Sequence, residues 1–252
     1  MNIRHQLMTV TLKAPFLYHQ TASDISEESA QSLKQANENF ERGDIQKTTE
    51  FYKKALEQSP KSSYLMSNLG TILSVQGDTA QGIKLLRAAI EANNAATAAH
   101  YNLGTLLLAH GVLESAREHL EKARELEPKS AVVNNNLGLV YLHLNQLDKA
   151  KQTFEKTLQD NPGFDYAPHN LGCIAYDENN MPQALEWFGK AEKINPNNFA
   201  TLNNIGCALF LMNDRNKAVD ALYKSIDLNP NFQPPYYNLG FMAYRDKLIS
   251  TK

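Results

Sequence analysis

The chain has 252 residues, 42% of them hydrophobic and 21% charged, with 12 Gly and 10 Pro, so collagen-like, coiled-coil and wholly disordered classes are excluded. Its 25 Lys and Arg against 27 Asp and Glu leave a net charge of −2, which gives no basic footprint for nucleic acid. No apolar run approaches the ~20 residues of a membrane helix, and two cysteines cannot build a disulfide framework.

In chain order, residues 1–28 come first, as an N-terminal extension. Met1–Ser23 carries Arg4 and Lys13 and no acid, and it lacks the continuous apolar stretch of a secretory signal. A docking extension is expected there, with a mitochondrial targeting segment as the alternative. From Ser29 onward a period of 34 residues sets in: Asn-Leu-Gly or Asn-Ile-Gly begins at Asn68, Asn102, Asn136, Asn170, Asn204 and Asn238. The units run 29–62, 63–96, 97–130, 131–164, 165–198 and 199–232, followed by a half unit over 233–246 and a tail over 247–252.

The same residue types recur inside each unit, and packing explains them. Position eight is Ala36, then Gly70, Gly104, Gly138, Gly172, Gly206 and Gly240; position twenty is small in Gly82, Ala116, Ala150, Ala184 and Ala218. Small residues at those places let two helices approach closely. Leu69, Leu73, Ile83 and Leu86 fall at helical spacing and give each helix a buried stripe. Pro60, Pro128, Pro162, Pro196 and Pro230 end the units, with Asn94 in place of Pro in the second; Pro cannot continue a helix. Gly43, Gly77, Gly111, Asn145 and Asn179 sit between the two helices of a unit, where a left-handed C-cap is needed.

A helix–turn–helix unit of this period resembles the tetratricopeptide repeat (TPR) family over roughly residues 29–246. The resemblance implies an all-α fold: a right-handed superhelical solenoid of antiparallel helix pairs, with about six and a half repeats. Unit one, with polar Gln35 and Asn39, reads as an N-terminal cap. The last unit contributes one helix, roughly Pro235–Arg245, which leaves Phe241 and Met242 as an exposed apolar end.

Catalytic signatures are absent from the sequence: there is no GxxxxGK, HExxH or GxSxG. His169, Cys173 and Asp177 share one helix face at i, i+4 and i+8, and they read as polar or small groove residues rather than a metal or thiolate site. Cys173 and Cys207 occupy the same place in successive units, too far apart for a disulfide, and are expected as free thiols lining a groove. No cofactor, metal or enzymatic activity is expected. A reducing compartment follows, the cytoplasm first and mitochondria second.

Position six, filled by Asn68, Asn102, Asn136, Asn170, Asn204 and Asn238, is not required by helix packing. The column resembles the asparagine ladder in the TPR superhelix of O-linked GlcNAc transferase, and that resemblance implies groove residues that hold an extended peptide. One carboxamide both donates and accepts, so it can pair with a peptide unit irrespective of side chain. Groove-facing amides would see water in the free protein, and replacing them should leave folding stability unchanged. Tyr237, Phe241 and Tyr244 are expected as an aromatic stripe at the groove's C-terminal mouth. The carboxylate clamp of chaperone adaptors is disfavoured, because Tyr64, Ser67, Ala98, Tyr101, Val132 and Asn135 stand where it needs Lys and Arg. The expected function is a non-enzymatic interaction scaffold binding a protein or extended peptide, with neither nucleic-acid binding nor membrane insertion, and with self-association through the C-terminal half repeat. The alternative is a permanent subunit of a larger assembly, with a mitochondrial complex as one setting.

Overall fold

The structure, a computed structural model, describes residues 25–250, with backbone alone over 246–250. The extension up to residue 24 and the last two residues of the tail therefore lie outside the described residues. Thirteen helices and no strand occur among the described residues, and the chain divides into two compact units, 25–145 and 146–250.

The first unit holds α1 (Glu27–Glu41), α2 (Ile45–Gln58), α3 (Ser63–Val75), α4 (Thr79–Ala92), α5 (Thr97–Ala109), α6 (Leu113–Leu126) and α7 (Ala131–His143). The second holds α8 (Leu147–Asp160), α9 (Tyr166–Asp177), α10 (Met181–Ile194), α11 (Phe199–Leu211), α12 (Arg215–Leu228) and α13 (Pro234–Ser250). Within each unit, helices adjacent in the chain pack on one another, and alternate first helices also touch: α3 on α5, α5 on α7, α9 on α11, α11 on α13. This is an all-α solenoid of helix pairs.

Local chemistry sets the helix ends. Asp44, Asp78 and Asp214 accept from the backbone N–H groups of Lys47, Gln81 and Lys217 and so cap α2, α4 and α12. The turn inside each repeat carries a left-handed residue at one place: Gly43, Gly77 and Gly111, then Asn145, Asn179 and Asn213, all with positive φ. Those are the two residue types for which that conformation costs least. Asn213 completes a series in which the sequence reading had identified the other five.

The close helix contact is built on position eight. A Cβ placed on Gly172 would lie 2.5 Å from the Phe188 ring, and one on Gly104 or Gly206 would lie 2.7 Å from Leu120 or Leu222. Around these contacts sit the cores, for example Cys173, Ala175, Ala184 and Phe188 in one repeat and Cys207, Ala218, Leu222 and Met242 in the last. Met242 is buried against α11 and α12, which corrects the expectation that it lies exposed at the open end. Its helix points that side chain back at the preceding repeat. α13 also runs to Ser250, past the half-repeat boundary at 246.

A histidine pair lies inside the third repeat. His100 Nδ1 on α5 and His119 Nδ1 on α6 are 3.1 Å apart, and His100 Nε2 faces the Asn94 carbonyl at 3.2 Å. Burial, then His119, holds His100 below its ordinary 6.5; Lys122 adds to this, while Asn94 and Glu125 oppose it. Burial also lowers His119, with Arg87 adding to the effect and Glu118 opposing it.

Two predictions follow from this packing. Gly172→Ala should destabilise the protein, since overpacking costs about 1–3 kcal/mol against a helix-propensity gain of about 1 kcal/mol. Gly240→Ala, where a Cβ meets nothing within 4 Å, should collect that gain in full; chemical denaturation of both variants measures the contrast. The histidine pair makes the fold acid-sensitive. The folded pKa values lie below 6.5, so as pH falls the unfolded chain takes up protons first. Stability is full above about pH 6.5 and is lost below it. Melting temperatures across that range should fall for wild type and fall less for His119→Gln.

Candidate functional site

The position-six asparagines form a buried column. Asn102, Asn136, Asn170, Asn204 and Asn238 are 0% exposed and Asn68 is 1% exposed. In the first unit, Asn136 Nδ2 donates to Thr105 Oγ1 at 3.0 Å and to Tyr101 OH at 3.4 Å, and Asn102 Nδ2 donates to Ser67 Oγ at 3.4 Å. The second unit repeats the pattern. Asn204 Nδ2 meets Cys173 Sγ at 3.3 Å and His169 Nε2 at 3.4 Å, while Asn238 Nδ2 meets Cys207 Sγ at 3.1 Å and Asn203 Oδ1 at 2.9 Å. One rule covers these bonds: position six donates to positions five and nine of the repeat before it.

The carboxamide oxygens follow position five of their own repeat. Where position five is Asn, its amide donates to the neighbouring oxygen: Asn135 to Asn136 at 3.3 Å and Asn203 to Asn204 at 3.1 Å. Repeat three has Tyr101 at position five, and there the Oδ1 of Asn102 is buried without a partner; Nδ2 of Asn68 likewise lacks a well-formed hydrogen bond. Leaving a buried polar atom unpaired costs about 1–3 kcal/mol.

This geometry corrects the expectation that the column sees water in the free protein and is dispensable for stability. Successive first helices approach closely enough for a carboxamide to fit between them, and positions five and nine supply its acceptors. Those acceptors could have been recognised in the sequence. Ser67 with Thr71, Tyr101 with Thr105, and His169 with Cys173 are all hydrogen-bonding pairs placed four residues apart beside the column.

The same bonds account for the other candidates. His169 Nδ1 lies 2.8 Å from Thr201 Oγ1; with Asn204 donating to Nε2, Nδ1 carries the proton and donates to Thr201. Cys173 and Cys207 form no disulfide and are fully buried, rather than lining an accessible groove as expected. Burial raises both thiols above the ordinary cysteine range, with Asp177 adding to the effect at Cys173, so neither supplies a thiolate near neutral pH. Asp177 itself is exposed, and among the described residues no group of three His, Cys, Asp or Glu side chains is arranged to hold a metal ion. Among the same residues no helix is long and apolar enough to cross a membrane.

The expected C-terminal stripe is divided. Tyr237 is half-buried, Phe241 is half-buried with its ring edge-on to Phe210 at 6.3 Å, and Tyr244 is 60% exposed. The open face of α13 runs instead through Tyr236, Gly240, Ala243 and Tyr244.

Asn204→Ala should lower stability by about 1–3 kcal/mol, because it strips a buried donor from His169 and Cys173. A thiol-specific colorimetric reagent should find no reactive cysteine in the native wild type and both cysteines once denaturant is added. Fast labelling of the native chain would contradict the burial of the column's acceptors.

Models of the tetratricopeptide repeat match residues 67–131, 107–171, 169–198 and 199–232. Solved structures with the same fold include Pseudomonas aeruginosa pilF, with a TM-score of 0.72 at 21% identity over 85% of this chain and 97% of that one. A tetratricopeptide repeat protein from Parabacteroides merdae also gives 0.72, at 18% identity over 88% of each chain. YrrB, described as a TPR protein with an unusual peptide-binding site, gives 0.54 at 21% identity over 75% of this chain and 97% of that one. A search of curated protein sequences returns no significant match.

Proposed function

The chain belongs to the tetratricopeptide repeat family, a fold of protein-interaction scaffolds, and from that premise we propose that it holds an extended polypeptide segment along the face lined by its first helices. The observation that carries the reading is the pair of buried atoms in neighbouring repeats that lack a well-formed hydrogen bond, Oδ1 of Asn102 and Nδ2 of Asn68, the latter with only the Tyr52 and Tyr64 hydroxyls beside it. One is a donor and the other an acceptor, which are the two groups a peptide backbone needs. Equivalent helices a repeat apart are separated by about 10 Å, a span that three extended residues at ~3.3 Å each would cover. A short movement of the side chains above the column would let a bound backbone reach both.

Within the column the six asparagines then divide their work. Asn136, Asn204 and Asn238 spend their Nδ2 groups on the preceding repeat and keep the face in register. Asn68 and Asn102 contribute bonds to the ligand. At the other end, the exposed ring of Tyr244 and the half-buried Tyr237 and Phe241 offer apolar contact, the kind that dominates interface hot spots. The peptide-binding site described for YrrB supports a reading of this type. No chemistry by the chain itself is required, and the near-neutral charge favours a polypeptide over nucleic acid.

Peptides selected against the full chain from a phage-displayed random library supply the probe. Asn68→Ala should weaken the selected peptide by about tenfold, the equivalent of ~1.4 kcal/mol, while changing the melting temperature less than Asn204→Ala does. If Asn68→Ala and Asn102→Ala leave every selected peptide bound at wild-type affinity, the groove reading fails.

A further inference from the structure

A pair of imidazoles joins the two helices of repeat three. His100, at position four on α5, and His119, at position twenty-three on α6, bring their Nδ1 atoms to 3.1 Å. In the second repeat the same two places hold Met66 and Leu85, and in the sixth Leu202 and Ala221. Met66 and Leu85 pack in one apolar cluster, so closing a repeat needs no polar residue at either place. Burying two polar rings where two apolar side chains serve costs stability, and packing alone does not account for the pair.

The geometry is that of a chelate. The Asn94 carbonyl can only accept, so His100 Nε2 carries its proton and donates to it at 3.2 Å. His100 Nδ1 is then the bare nitrogen, and His119 Nδ1 donates to it. A backbone carbonyl on the far nitrogen is also what fixes the tautomer and orientation of a metal-ligating imidazole. Two nitrogens about 2.0–2.1 Å from a zinc ion and tetrahedrally placed stand about 3.3 Å apart. The pair therefore has to open by only about 0.2 Å from its observed 3.1 Å. His100 is buried and His119 is half-buried, so the approach for an ion lies on the His119 side. The cations acting on the two rings, Lys122 and Arg87, are matched in number by Glu125 and Glu118.

We propose that His100 and His119 form a two-histidine chelate for a divalent transition-metal ion of the zinc class, each ligating through Nδ1. On loading, the proton between the rings moves to His119 Nε2. Both Nδ1 lone pairs then face the ion, and the pair releases no net proton. Imidazole nitrogen suits zinc, nickel and copper, whereas calcium and magnesium take oxygen ligands. Water molecules complete the coordination, and the ion ties α5 to α6. The site lies inside one repeat and stands independently of the groove reading.

The probe is zinc chloride, titrated into the full chain after treatment with a chelator. One saturable ion per chain is expected, with a rise in melting temperature, since an ion that binds only the folded state stabilises it. His119→Gln, at a half-buried position, should weaken binding at least tenfold and abolish that rise. His143→Gln, at an exposed position, should change neither. NMR of the isotope-labelled ring nitrogens reads the site in the wild type, without any substitution. Zinc should move the signals of two of the seven histidines, and at Nδ1 rather than Nε2. Binding of equal strength in wild type and His119→Gln would overturn the proposal. So would zinc-induced shifts confined to other rings, or no saturable binding to the wild type.

Discussion

Close approach of two helices at a residue without a side chain is the constraint from which the rest follows. At Gly104, Gly172 and Gly206 a single Cβ would collide with Leu120, Phe188 and Leu222, so those three repeats close because position eight is Gly, while the first closes on Ala36. With the pair closed, the next first helix settles against it, and position six is carried out of water between two first helices. A buried carboxamide must then be paired, and positions five and nine of the preceding repeat pair it. What began as a steric allowance in one repeat becomes a hydrogen-bond requirement between repeats.

That requirement also decides what the reactive-looking residues can do. Cys173, Cys207 and His169 have the types and spacing of a chemical site, yet each is an acceptor for an asparagine one repeat later. An acceptor sulfur in an apolar, covered position is held as the neutral thiol by desolvation. The geometry that makes these residues structurally useful removes them from chemistry.

The helix pairs, their turns, the small contact positions and the 34-residue period were legible in the sequence, because each rests on a local steric rule repeated many times. Gly43 and Asn145 announce the same left-handed turn by different residues. The exposure of the asparagine column was not legible in the same way. Helical periodicity places position six beside the groove, but whether it sits on the floor or beneath it depends on how closely successive first helices pack, a distance that no single helix encodes. The burial of Met242 is illegible for a related reason: the sequence of α13 does not show that one side of the helix meets the repeat before it. The His100–His119 pair was missed because its two members are nineteen residues apart on different helices, outside any single-helix pattern.

Every repeat of such an array has two sockets, one toward its own second helix and one toward the adjoining first helix. In α3, α5 and α11 the first socket is filled from within the chain, which is why positions four and eight vanish from the surface there. α13 has one socket filled and one open: Asn238 is bonded to Asn203 and Cys207, whereas Gly240 faces empty space. The column differs in kind. Its unpaired atoms, Nδ2 of Asn68 and Oδ1 of Asn102, lie buried between first helices inside the array rather than on an exposed face.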